Sequence, residues 1–149
     1  MNESNIVRTV FISHAKNDSE LANALAKALR QRGFDVWDDK EITSGEAWSR
    51  EIASALKNSD AMIALLHKHS YSSSYVRNEL EHALFSESYK NRLLPVYIGS
   101  AEERDFASNP WVLKNLEHLR LPESTPLETM VLKIVQKFVA LFRNGESRK

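Results

Sequence analysis

Hydrophobic positions recur along this chain in two periods, and the switches between them mark out its elements. Val7 to Ile12 carries the β-branched and aromatic run Thr9-Val10-Phe11-Ile12, which predicts a buried first strand ending at Ser13-His14. After a polar loop, Leu21, Ala24, Leu25, Ala28 and Leu29 repeat at helical spacing, with Asn17 and Glu20 at the separation of a capping box and Gly33 placed to end the helix. Phe34 to Trp37 predicts a second strand, followed by an acidic loop. Thr43 and Glu46 repeat the capping-box pattern before a second helix with Trp48, Ile52, Ala55 and Leu56 on one face. Ala61 to Leu66 is apolar on both faces, as a central parallel strand must be, and the polar run His67 to Ser74 leads into a third helix with the stripe Val76, Leu80, Ala83 and Leu84. Leu93 to Ile98 predicts a fourth strand stopped by Gly99, and Leu116 to Leu121 holds a short fifth one. Between them Pro110 bars a long helix. A final helix is read from Thr125 as N-cap and Pro126 as first helical residue, with Leu127, Met130, Val131, Ile134, Val135, Phe138, Leu141 and Phe142 at helical spacing; Arg143 to Lys149 then reads as a frayed polar tail.

Strands alternating with helices imply an α/β fold: a doubly wound parallel sheet with right-handed crossovers and helices on both faces. The 149 residues suit one domain, 1–149, with a core of about 6–142 and short polar tails at both ends. Loops at the carboxyl edge of the strands, where such sheets bind ligands, would be Ser13 to Asp18, Asp38 to Gly45, His67 to Ser74 and Gly99 to Asn109.

Composition narrows the chemistry. Lys plus Arg and Asp plus Glu are equal at 20 each, so no basic surplus points to nucleic acid or an anionic membrane. The absence of cysteine removes disulfides, thiolate metal sites and a cysteine nucleophile. The first residues lack the layout of a signal peptide, and the longest apolar run, Ala61 to Leu66, is far short of the ~20 residues of a membrane span. A soluble, cytoplasmic protein is expected. Neither a G-x-G-x-x-G dinucleotide fingerprint nor a Walker loop is present, and the aspartate cluster of a phosphorelay receiver is replaced by Ser13-His14-Ala15. His67 and His69, with no carboxylate nearby in the chain, form no recognisable ligand set and read as solvated loop histidines, so no metal is expected.

The stretch Ser73-Ser74-Tyr75-Val76-Arg77-Asn78-Glu79-Leu80 puts a carboxylate early in the third helix, beside an aromatic. At ~100° per residue, Glu79 lies roughly 60° to one side of Val76, at the margin of the buried stripe. Glu81 points away from the core, and Glu87 is roughly 12 Å further along the axis. Position alone leaves Glu79 either a site residue near the strand edge or one more solvated glutamate. Tyr75, one turn earlier, shares its face, as packing or as a stacking surface. The segment Asp38-Asp39-Lys40-Glu41-Ile42-Thr43-Ser44-Gly45 opens on four charged residues and carries one apolar residue, Ile42, near its middle, which suits either a solvated loop or a contact for another protein.

Taken in order, Val10-Phe11-Ile12-Ser13-His14 with Asp18, Gly33-Phe34-Asp35-Val36-Trp37-Asp38-Asp39 with Ile42, Gly45 and Trp48, then Ser59, then Ser73-x-Tyr75-Val76-x-x-Glu79-Leu80, resemble the successive boxes of a Toll/interleukin-1 receptor (TIR) domain of bacterial or plant-like type. The resemblance covers nearly the whole chain. It implies a flavodoxin-like five-stranded sheet, and one of two activities: cleavage of the nicotinamide to ribose bond of NAD, or homotypic assembly with other TIR domains as a non-catalytic module. Glu79 matches the glutamate that catalytic members need, and Ser73 matches the serine before the aromatic. Tyr75 stands where many members have tryptophan, and His67 where many have serine. Asp39, Lys40, Glu41, Ile42, Thr43, Ser44 and Gly45 correspond to the loop used in self-association. The resemblance implies NAD as substrate rather than cofactor, with Ser13, His14, Asp38, Asp39, Ser73 and Tyr75 around it. A nucleoside or nucleotide N-ribosyltransferase of related fold is a further alternative, since its glutamate would do similar chemistry on another base.

Overall fold

In the computed structural model the described residues are 6–38, 58–67, 92–102, 105 and 113–144. They form β1 (Ile6–Val7), β2 (Thr9–Ser13), a 3-10 turn (Lys16–Asp18), α1 (Ser19–Gln31), β3 (Asp35–Asp38), β4 (Ala61–Leu66), β5 (Leu93–Ile98), β6 (Leu119–Leu121), α2 (Leu127–Leu141) and β7 (Arg143–Asn144). The expected second and third helices lie outside the described residues.

Five of these strands make one parallel sheet in the order β3-β2-β4-β5-β6. Counted in chain order within the sheet, this is 2-1-3-4-5, the flavodoxin-like winding. The chain reverses direction across the sheet between β2 and β4. Val10, Ile12, Ile63, Leu65, Leu94, Val96 and Ile98 on one face join Leu25 and Leu29 of α1 and Ile134 and Phe138 of α2 in a single core. Phe34, just after α1, meets the Phe138 ring edge-on at 5.4 Å, which locks the two helices together. On the opposite face Phe11, Met62, Ala64 and Leu66 also show no exposure, so the sheet is covered on both sides, as its uninterrupted apolar strands require. The doubly wound α/β expectation holds. Trp37 belongs to that second face and stacks on Phe11, its register partner, with centroids 5.0 Å apart.

At the amino end of the sheet, Asp60 joins β4 to β2. Its Oδ2 accepts the N–H groups of Arg8 (2.9 Å) and Thr9 (3.1 Å), while its own N–H donates to the Thr9 carbonyl at 2.8 Å. These bonds fix the start of β4 in register, with Val10 opposite Ala61 and Ser13 opposite Ala64.

Several boundaries differ from the sequence reading. The capping box of Asn17 and Glu20 is absent: the 3-10 turn occupies 16–18, Asp18 holds the N-cap position, and no side chain caps α1. Gly33 does close that helix, at φ 95°, with its N–H on the Arg30 carbonyl at 3.0 Å. α2 starts one residue later than expected, with Pro126 as N-cap at ψ 150°. The tail after α2 is not wholly frayed, since Arg143–Asn144 pairs in parallel with Ile6–Val7 as a second, two-stranded sheet. The fifth strand of the main sheet is confined to Leu119–Leu121.

Candidate functional site at the carboxyl edge

Because all five strands of the main sheet run the same way, their carboxyl ends share one edge, and the chain reversal between β2 and β4 marks the point on it where such sheets bind ligands. Ser13 ends β2 and is fully buried; His14 follows it at 5 % exposure. The His14 Nδ1 lies 2.9 Å from the Ala15 carbonyl oxygen. A carbonyl can only accept, so Nδ1 carries the proton. Asp38 ends β3 opposite Ile12, which places it at the same edge. Ser13, His14 and Asp38, expected around a ligand, are thus brought to one end of the sheet, the first two as a closed floor. Asp39, Ser73, Tyr75, Glu79 and the segment 39–45 lie outside the described residues.

At the same edge the structure contains a feature that the sequence reading missed. Asp18 leaves the turn after β2 with only 6 % exposure, and His67 leaves β4 beside it. The His67 Nδ1 is 3.0 Å from Asp18 Oδ1, and its Nε2 is 2.9 and 2.8 Å from the two carboxylate oxygens of Glu123, in the loop after β6. Ionised carboxylates accept and do not donate, so both contacts are hydrogen bonds together only in the imidazolium form, with a hydrogen on each ring nitrogen. Burial works against that charge, but hydrogen bonds and attraction from Asp18 and Glu123 outweigh it and raise the His67 pKa above its ordinary value. In that form both nitrogens donate and His67 has no lone pair for a proton or a metal. The expectation of a solvated loop histidine is therefore corrected: the side chain is 14 % exposed and paired twice. Its partners are 49 and 56 residues away in the chain, a separation no local motif reveals.

Glu123 reaches His67 past Gly99, the residue that follows β5, which lies between β6 and β4. Gly99 adopts φ 69°, and a Cβ there would fall on Glu123 Oε1. Gly99 also lines an open cleft of about 590 Å³ with Lys114, His118 and Arg120. Arg120 is exposed, and its guanidinium lies over the Tyr97 ring at 4.6 Å.

A parallel 2-1-3-4-5 sheet fits many proteins, and comparison with known families separates them. The family model described as TIR domain matches residues 10–129, most of the chain. The chain belongs to the TIR domain family. A curated relative, the 2' cyclic ADP-D-ribose synthase BtTIR of Bacteroides thetaiotaomicron, is 30% identical over 90 residues, covering 58% of this TIR domain and 31% of that protein. The TIR domain thus aligns with under a third of that relative's length. Among solved structures, a metazoan TIR-STING receptor from C. gigas superposes with a TM-score of 0.63 at 19% identity, covering 91% of this chain and 41% of the receptor chain. The TIR domains of the activated Roq1 resistosome match with a TM-score of 0.63 at 18% identity, covering 87% and 98% of the two chains. At those identities the structural matches establish the fold, and they agree with the strand order found here. Among the described residues no helix is long and apolar enough to cross a membrane.

Proposed function

We propose that this TIR domain cleaves NAD between nicotinamide and ribose, with Glu79 as the catalytic carboxylate. The observation that carries the reading is the motif Ser73-x-Tyr75-Val76-x-x-Glu79 in a TIR domain whose curated relative bears the name of a cyclic ADP-ribose synthase. Breaking this N-glycosidic bond builds oxocarbenium character on the ribose, which an ionised carboxylate at the sugar stabilises. Nicotinamide leaves as a neutral base. No general acid is needed, so one carboxylate suffices where glycoside hydrolysis ordinarily uses two. Tyr75 supplies a ring for stacking on a planar base. Ser13 and His14, buried at the end of β2, form the floor beneath the ribose; Asp38 ends the neighbouring strand and Asp39 follows it in sequence, and both serve the same site. The nucleophile that reaches the anomeric carbon decides between linear and cyclic ADP-ribose. Assembly with further TIR domains through the segment 39–45 switches the activity on, in defence signalling.

The test is incubation of the purified protein with NAD at high protein concentration, with chromatographic detection of free nicotinamide and of the ADP-ribose product. Release is expected for the wild type, and Glu79→Gln should lower it on the order of a hundredfold or more while the unfolding midpoint stays close to wild type. If the concentrated wild type releases no nicotinamide, the interaction-module reading replaces this one.

A further inference from the structure

We infer that Asp18, His67 and Glu123 form an ion-pair clasp across the carboxyl edge of the sheet, and that His67 acts through it as a positioning residue for the segment leaving β4. In sequence that segment runs from Lys68 to Tyr75 and Glu79, so the consequence for activity rests on the function proposed above.

Three observations carry the inference. Asp18 is anchored from its own side: its N–H donates to the Ala15 carbonyl at 2.9 Å within the 3-10 turn, and its carboxylate sits at 6 % exposure, where an ionised group requires a partner. Although Asp18 occupies the N-cap position of α1, no side-chain cap bond forms, and the carboxylate is directed to His67 instead. Third, Glu123 comes from two strands away, over Gly99, and meets Nε2 with both oxygens. The first residue after β4 is thereby held from both sides, by the loops after β2 and β6. A planar ring donating in two opposed directions has its orientation fixed by those two acceptors. A backbone tied in this way at position 67 restricts the directions in which residue 68 and its successors can leave the sheet.

Glu123 provides the cleanest test, because its side chain is 66% exposed and its removal leaves the core intact. Glu123→Ala should speed amide hydrogen exchange in the residues just after 67 by roughly fivefold, with α2 and β4 unchanged. Glu123→Gln keeps an oxygen acceptor for Nε2–H and should restore most of the protection. In nitrogen-resolved NMR spectra the wild-type His67 ring should show two protonated nitrogens at neutral pH. In the NAD assay Glu123→Ala should lower kcat several-fold with KM within about twofold, the pattern of misplaced chemistry rather than lost binding. Unchanged exchange after residue 67 in Glu123→Ala, or a neutral ring in the wild type, overturns the clasp. Faster exchange with unaltered kcat overturns the positioning role. A wild type that cleaves no NAD defeats the proposed function, and the exchange and NMR measurements then judge the clasp by themselves.

Discussion

Gly99 and Glu123 are complementary: the bare α-carbon at the end of β5 leaves the space through which the Glu123 carboxylate passes on its way to His67. Two costs of a side chain at Gly99 can be separated. Alanine at φ 69° is strained by about 1–2 kcal/mol whatever surrounds it, and its Cβ additionally displaces the Glu123 carboxylate. Gly99→Ala should therefore destabilise the wild type more than it destabilises Glu123→Ala, by about 1 kcal/mol in a double-mutant cycle. Urea unfolding of the four proteins measures this, and equal costs in the two backgrounds would mean that only backbone strain operates at Gly99.

The raised pKa of His67 gives stability a pH dependence of definite sign. A proton held more tightly in the folded state than in the unfolded one stabilises the fold fully below the unfolded value of about 6.5, and the contribution is lost as pH rises through the higher folded value. Among the described residues, the charged groups bonded to the ring are Asp18 on the turn after β2 and Glu123 after β6. Wild-type unfolding free energy should fall as pH increases from about 6.5 upward, and His67→Gln should flatten that part of the profile. Subtracting the two curves isolates His67 from the other histidines, and parallel curves would show that its charge contributes nothing to the fold.

At the other end of β4, Asp60 accepts two backbone N–H groups with one oxygen. Asp60→Ala leaves both donors without that acceptor and should cost about 1–3 kcal/mol, whereas Asp60→Asn retains an oxygen and should recover much of the loss. Denaturant midpoints of the three proteins decide it. Full stability in the alanine variant would show that water replaces the carboxylate and that the β2–β4 register is set by packing alone.

These results separate what a one-dimensional pattern can carry from what it cannot. The apolar run Ala61 to Leu66 and the helical stripe from Met130 to Phe138 were legible because burial writes a period into the sequence, and the observed elements follow them closely. The pairing of Ile6–Val7 with Arg143–Asn144 was not, since two-residue strands are too short for any period and their partners stand at opposite ends of the described chain. The expected cap at Asn17 failed for a tertiary reason: the chain makes a 3-10 turn there, and the next acid, Asp18, is committed to a histidine on another strand. Of the candidate site, Ser13, His14 and Asp38 were placed at the strand edge by the alternation of elements, whereas Glu123 carried no signal because its role depends on a gap at Gly99. Glu79 and Tyr75 rest on the motif itself.

The last prediction concerns assembly. The segment Asp39 to Gly45 carries four charged or hydroxyl side chains ahead of Ser44 and only one apolar residue, Ile42, a composition that suits a surface contact better than a core. If that segment of one copy seats against a different surface of the next, the contact is head-to-tail and builds open chains rather than closed dimers. NAD cleavage should then rise in specific activity with protein concentration, because each active site is completed or stabilised only within the assembly. Ile42→Asp places a charge in the contact, and Gly45→Pro restricts the backbone beside it, so both should suppress assembly and turnover together while the monomer keeps its fold. NAD turnover across a wide dilution series, with light scattering and far-UV circular dichroism on the same samples, measures all three properties. Specific activity that stays flat on dilution into the monomeric range, or an Ile42→Asp protein that is monomeric yet fully active, would establish that a single TIR domain is a complete enzyme and that the segment takes no part in switching it on.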